Sequence, residues 1–252
     1  MHWKILLTDG LATISDQKLL NAVDLDDRKG ISAEELLTVI GDYDGVIVRG
    51  RTKITDEVLS AAENLKVVGR MGVGVDNIDL EAARKHSVTV VNAPVATTVS
   101  VAELTLGLML SLIRKIPMAD CGSKADQWLK KECRGTELYQ KTLGIIGYGH
   151  IGEEVAKRAM AFEMKVIACD PIRPAEEIVA TGAEPIPFDD LIKQADIITM
   201  HIPHITSTHH LLNEQAFNNM KDGVRIICAA RGGVIDEKAL LARHAGSPRP
   251  LF

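Results

Sequence analysis

Leu143-Gly144-Ile145-Ile146-Gly147-Tyr148-Gly149-His150-Ile151-Gly152 is the stretch whose reading decides the fold. Leu143 to Ile146 read as a buried strand, the glycines at Gly-x-Gly-x-x-Gly spacing as a tight turn, and Glu153–Phe162 as the amphipathic helix that follows. That spacing alone is weak. It gains weight because the next strand, Lys165–Cys169, ends on an acid, Asp170, 21 residues after Gly149. In this context Gly147 permits the turn, Gly149 lets backbone approach a pyrophosphate, and Gly152 lets helix and strand pack closely. The helix amino end adds N–H groups and a positive dipole for phosphate. A carboxylate at Asp170 accepts hydrogen bonds from adenosine ribose hydroxyls and repels a 2′-phosphate, so NAD is favoured over NADP; Arg173 could soften that rejection.

Outward from this motif, short β-branched or Leu-rich runs alternate with helical patterns, the mark of α/β architecture on parallel sheets. Strands are expected near Lys4–Thr8, Val46–Arg49, Lys66–Val68 and Thr89–Val91, and later at Ile197–His201 and Val224–Cys228. Ser32-Ala33-Glu34-Glu35 reads as a capping box, Thr55-Asp56 and Asp79 can cap the next two helices, and Asp236-Glu237 can cap one running through Leu241. The rhythm asks for a strand in Val23–Lys29, but Asp24, Asp26 and Asp27 make a poor one, and the segment stays open. Asn92-Ala93-Pro94 breaks the pattern before a Thr-rich segment, Val95–Ser100, and a long helix beginning near Val101. A domain boundary is therefore expected between residues 1–98 and 99–252. Pro117 and the polar Asp120–Glu137 stretch are expected to form a long connection, with Trp128 buried against a partner subunit or against its own domain.

Composition narrows the functional classes. A formal charge of −5 over 252 residues gives no basic footprint for nucleic acid, and Lys130-Lys131 reads as a solvated face. Cys121, Cys133, Cys169 and Cys228 show no C-x-x-C pairing, which points to free thiols in a reducing compartment, the cytoplasm by default. Val101–Ile113 is interrupted by Glu103 and falls short of the roughly 20 apolar residues that a bilayer span takes. The run from Met1 to Leu7 reads as a first strand rather than a targeting signal.

Further motifs are Arg70-Met71-Gly72-Val73-Gly74-Val75-Asp76-Asn77-Ile78-Asp79, Asn92-Ala93-Pro94 with Val101-Ala102-Glu103, Gly135-Thr136-Glu137-Leu138, and Ala230-Arg231-Gly232-Gly233-Val234-Ile235-Asp236-Glu237. With the glycine fingerprint, they make the chain resemble the D-2-hydroxyacid dehydrogenase family, and within it the phosphoglycerate dehydrogenase branch, from about Ile5 to Leu241. The resemblance implies two doubly wound parallel-sheet domains: a flavodoxin-like substrate domain, then an incomplete NAD-binding Rossmann domain. It implies Arg231 as the catalytic cation on the substrate carboxylate, a task suited to a planar, permanently charged fork. It places the anion nest of Gly72, Val73 and Gly74 on the same carboxylate. The branch's V-R-S-x-T phosphate segment reads Val48-Arg49-Gly50-Arg51-Thr52 here: Arg49 matches, Gly50 removes a hydroxyl, and Arg51 adds a cation. Cofactor contacts are implied at Gly147, Gly149, His150, Ile151, Gly152, Asp170, His201, Ile202, Pro203 and Ala229. His201, His204, His209 and His210 would supply enough imidazoles for a metal, but no acid or thiol accompanies them, Pro203 opposes a helical pairing, and no metal is expected. A homo-oligomer built through Val101–Leu138, a small phosphorylated hydroxy acid as substrate, and a place in serine biosynthesis are the remaining implications.

The family's proton-transfer pair, a Glu followed by a His in a P-H-x-G context, has no match. His244-Ala245-Gly246-Ser247 imitates it only 13 residues after Arg231 and is expected to be surface tail. Residues 243–252 depart from the family pattern as a truncated or frameshifted product would; they are expected to be disordered, and a sheet edge to be left uncovered. Two other readings stay open: an NAD(H)-responsive non-catalytic binding or regulatory protein, and a dehydrogenase for another D-2-hydroxy acid.

Overall fold

Residues 2–10 and 21–246 are described by the computed structural model. The chain divides into two units, Met1–Thr97 and Thr98–Phe252, each carrying its own five-stranded sheet.

In the first unit β1 (Trp3–Leu7), β2 (Val23–Asp27), β3 (Gly45–Val48), β4 (Val67–Arg70) and β5 (Thr89–Asn92) lie in the order β2-β1-β3-β4-β5, all parallel. This is the flavodoxin-like order, with its reversal between β1 and β3. Helices α1 (Ala33–Val39), α2 (Asp56–Ala61) and α3 (Leu80–Lys85) start on Ser32, Thr55 and Asp79, whose side chains accept the N–H three residues ahead. The reciprocal half of the expected capping box gives way: Glu35 turns its carboxylate to Arg28, 3.5 Å away, because a charged donor competes with a backbone N–H. Leu6, Val46, Val48 and Val68 meet Leu36, Ile40 and Leu59 in the core.

The open segment resolves as a strand. β2 is an edge strand with a ladder on one side only, so Asp24 and Asp27 stay exposed, and charge on an edge also discourages further pairing. Asp26 accepts the Tyr43 hydroxyl and the Arg28 guanidinium at 2.9 Å.

The second unit contains α4 (Thr98–Ile113), α5 (Ile116–Lys124), β6 (Thr142–Ile146), α6 (His150–Ala161), β7 (Lys165–Cys169), α7 (Ala175–Ala180), β8 (Glu184–Pro185), α8 (Phe188–Gln194), β9 (Ile197–Met200), α9 (Glu214–Asn219), β10 (Arg225–Cys228) and α10 (Glu237–Gly246). Its sheet runs β10-β9-β6-β7-β8, parallel throughout, which reproduces five consecutive positions of the Rossmann order around a reversal between β6 and β9. Alternation along β6 feeds two cores: Leu143 and Ile145 pack with Met109, Val155 and Ala159 on one face, while Ile146 joins Leu191, Ile198 and Phe217 on the other.

Three expectations are corrected here. The long helix begins at Thr98, not near Val101. The supposed connection from Pro117 is interrupted by α5: Lys115 turns the chain at φ 56° and Pro117 falls in the first turn, where a missing N–H costs nothing. Trp128 is 85% exposed, so it is not buried in its own unit. The tail is also ordered further than expected. Asp236 caps α10 through the N–H groups of Lys238 and Ala239, both at 3.1 Å, and a run of good helix formers carries it through Arg243 and His244 to Gly246. The remaining tail, 247–252, lies outside the described residues. Among the described residues no helix is long and apolar enough to cross a membrane.

Candidate active site

At the β6/β9 reversal the three fingerprint glycines experience three different surroundings. Gly147 has φ 88°, and a Cβ there would lie 2.7 Å from the His201 carbonyl oxygen. Gly152 faces Gly147 so closely that a Cβ would approach its carbonyl oxygen to 2.4 Å. Gly149 faces nothing within 4 Å. Turn and packing thus consume the outer two, and the middle one opens onto space at the amino end of α6, beside His150 and Ile151, where a pyrophosphate fits.

Asp170 is held beside this loop. Its Oδ2 accepts the Tyr148 N–H at 2.6 Å, and its Oδ1 accepts those of Ile172 and Arg173 at 2.8 and 3.0 Å. These bonds orient the carboxylate yet leave acceptor capacity for a ribose diol. Arg173 does not oppose Asp170 as a loose cation: its guanidinium reaches Glu153 at 2.7 Å, Glu177 at 3.3 Å and the Tyr148 carbonyl at 3.0 Å.

Across the reversal, the His201 N–H bonds the Ile146 carbonyl at 2.8 Å and its Nε2 lies 3.1 Å from the Thr199 hydroxyl. Burial pushes this imidazole down to about 4, so His201 is neutral near pH 7. Ile202 and Pro203 follow it onto the surface, and the Thr208 hydroxyl holds the loop by donating to the Pro203 carbonyl at 2.7 Å.

Beyond β10 a cavity of about 640 Å³ is lined by Ile226, Cys228, Ala229, Ala230, Arg231, Gly232, Gly233, Ile235, Glu237 and Leu240. Arg231 stands in its wall, one Nη1 bond going to the Ala230 carbonyl at 2.9 Å. The lining is mostly apolar and carries one guanidinium, Arg231, and one carboxylate, Glu237, so an anion would be held on the arginine side of the cavity.

The first unit gathers its candidates at the β1/β3 reversal, around a residue the sequence reading missed. Asp9, its side chain only 5% exposed, accepts from the Arg49 N–H at 2.6 Å, the Thr52 hydroxyl at 2.8 Å and Arg51 Nε at 3.1 Å. Burial alone would raise its pKa, but these donors outweigh burial and lower it. Arg49 is exposed, and its guanidinium makes no hydrogen bond or ion pair among the described residues. Arg51 also donates to the Ile31 and Thr8 carbonyls at 3.0 and 2.9 Å, so its half-exposed guanidinium ties neighbouring loops together.

Gly72, Val73 and Gly74 follow β4, next to β3 in the sheet. Gly72 commits its N–H to the Arg70 carbonyl at 2.9 Å, which takes one donor out of the expected nest; those of Val73 and Gly74 carry no bond among the described residues. Behind them lies the Arg70 guanidinium, so near that a Cβ on Gly72 would come within 3.2 Å of Nη2. Asp9 had no signature in the sequence, since its contacts with Arg49, Arg51 and Thr52 depend on strand order.

Residues 106–245 match the model of the D-isomer specific 2-hydroxyacid dehydrogenase NAD binding domain. The chain is 47% identical over 238 residues to D-3-phosphoglycerate dehydrogenase of Methanocaldococcus jannaschii, covering 94% of this chain and 45% of that protein. It is 42% identical to hydroxypyruvate reductase of Thermotoga maritima, covering 95% and 78%. D-lactate dehydrogenase of Aquifex aeolicus, solved with NAD and lactic acid, superposes with a TM-score of 0.85 at 31% identity, over 97% of this chain and 74% of that one. The chain thus spans less than half the length of the archaeal phosphoglycerate dehydrogenase it matches.

Proposed function

The chain belongs to the D-isomer specific 2-hydroxyacid dehydrogenase family, and from that premise we propose that it binds NAD in residues 99–252 and a phosphorylated D-2-hydroxy acid of the 3-phosphoglycerate type through residues 1–98. The observation that carries the substrate assignment is Arg49. It stands at the carboxyl end of β3, at the sheet reversal where doubly wound folds bind ligands, with its backbone fixed by Asp9 and Asn77 and its guanidinium without a partner among the described residues. A phosphate dianion is a fitting partner for such a fork. Within the first unit, the N–H groups of Val73 and Gly74 would take an anionic group of the substrate.

The cofactor residues are Gly147, Gly149, His150, Ile151, Gly152, Asp170, His201, Ile202, Pro203 and Ala229, and the open face of Gly149 is what fits a pyrophosphate. NAD supplies the hydride acceptor. Arg231 would polarise the substrate carbonyl and hold its carboxylate.

The test is 3-phosphoglycerate against D-lactate, titrated into the NADH-saturated chain and read by cofactor fluorescence. Arg49→Ala is expected to remove the preference for the phosphorylated acid, and Arg231→Met to weaken both acids roughly tenfold or more. If Arg49→Ala weakens the two acids equally, the phosphate assignment is wrong. We place the protein in the cytoplasm as a homo-oligomer: its four cysteines are unpaired, and Leu104, Leu108, Ile116 and Met118 leave apolar surface on α4 and α5.

A further inference from the structure

The loop after β9 carries four histidines; past His201 the other three form one cluster, and two of them, His204 and His210, meet the segment bearing Arg231 at Gly233. The His204 ring lies against the α-carbon of Gly233, where an added Cβ would come 2.8 Å from Nε2. Gly233 itself adopts φ 79°. The same Nε2 lies 3.0 Å from His209 Nδ1, and the His209 and His210 rings stack with centroids 3.9 Å apart. The His210 N–H bonds the Gly233 carbonyl at 2.8 Å, and its Nδ1 stands 3.9 Å from Asp236. Two further bonds continue the seam: Leu212 N–H to the Val234 carbonyl at 3.3 Å, and Asp236 N–H to the Leu212 carbonyl at 2.9 Å.

One detail shows that these contacts constrain the loop. His210 has φ 50°, a left-handed conformation that glycine adopts more readily than a residue with a Cβ. Such a conformation persists where surrounding contacts over-determine it. Here they are the stacked ring and the bond to Gly233. The Arg231 segment is thereby fixed at both ends, by β10 up to Cys228 and by the imidazole clamp from Gly233 onward, leaving only Ala229 to Gly232 to span between them.

We infer that His204 and His210 are positioning residues for Arg231, acting through Gly233 to aim its guanidinium at the substrate carboxylate. The inference rests on the proposed role of Arg231. Neither imidazole need touch substrate or cofactor. A misaimed fork loses the bidentate geometry that distinguishes an arginine from a point charge.

The test uses the full chain, with His210→Gly and His204→Leu compared with the parent. Glycine suits φ 50° better than histidine, so a merely structural role predicts that His210→Gly leaves thermal stability equal or higher and ligand binding unchanged. A positioning role predicts a split: stability maintained and NADH affinity unchanged, but affinity of the NADH complex for oxalate, a carboxylate probe, falling between about tenfold and a hundredfold. Amide exchange at Leu212 and Asp236 should also quicken in the ligand-free variant, at unchanged melting temperature. If exchange stays as in the parent, or if the parent binds oxalate through Arg231 and both variants bind it equally well, the inference fails while the proposed function stands. If the parent does not bind oxalate, or if Arg231→Met binds it as tightly as the parent, the anion role of Arg231 fails and takes this inference with it.

Discussion

Gly149 and Gly152 sit three residues apart and answer to opposite constraints. A side chain at Gly149 meets open space, and one at Gly152 meets a carbonyl oxygen at 2.4 Å. Gly149→Val is therefore expected to leave the melting temperature near that of the parent while cutting NADH affinity at least roughly tenfold, because the side chain fills the pyrophosphate approach. Gly152→Val is expected to destabilise the fold by about 1–3 kcal/mol, the usual cost of overpacking, as read by urea unfolding. At His201 the buried imidazole has a folded pKa near 4 against 6.5. The unfolded chain then binds the proton first, so stability falls as pH drops from about 6.5 towards 4, by roughly 3 kcal/mol from this residue. In His201→Asn that part of the acid-side slope, followed by melting temperature against pH, should vanish; an unchanged slope would assign the titration elsewhere. The glycines and Asp170 were legible in the sequence because their spacing within one strand–helix–strand unit carries the reading. Asp9 was not, since its bond to Arg49 joins residues 40 apart and exists only because β1 and β3 are adjacent.

Strand β6 shows what an element owes to its neighbours. Gly144 lies mid-strand, where a Cβ would come 2.6 Å from Leu191 Cδ2 and 3.0 Å from Ala195 Cβ, so α8 presses directly on the strand backbone. Gly144→Val is expected to cost about 2–3 kcal/mol in urea unfolding, and a neutral result would mean that α8 can retreat. Strands of this kind were readable, because buried parallel strands are continuous apolar runs. The aspartates of β2 hid a strand that needs only one ladder, and polar α5 lacked the apolar period that would reveal a helix. The α10 extension was missed for another reason: departure from a family motif around His244 says nothing about helix propensity, and Ala239 to Ala245 propagate a helix regardless.

At the scale of the molecule, two five-stranded sheets have reversals at β1/β3 and β6/β9, and the candidate residues follow the strands at or beside those reversals. That correspondence was largely legible, because alternation of strands and helices dictates doubly wound sheets and such sheets bind at their reversals. Apolar surface on α4 adds an expectation about assembly. Leu104 and Leu108, 55% and 42% exposed, share a helical face, and Leu104→Glu with Leu108→Glu should shift the chain towards monomer in light scattering. An unchanged mass would move the interface elsewhere. The central claim, that the second unit is a dinucleotide site selected for NAD by Asp170, is tested most directly by titrating NADH and NADPH into the chain and into Gly149→Val, following cofactor fluorescence. NADH binding at least roughly tenfold tighter than NADPH, and lost in the variant, is the expected result; equal binding of the two cofactors, or a variant that binds NADH as the parent does, would contradict it.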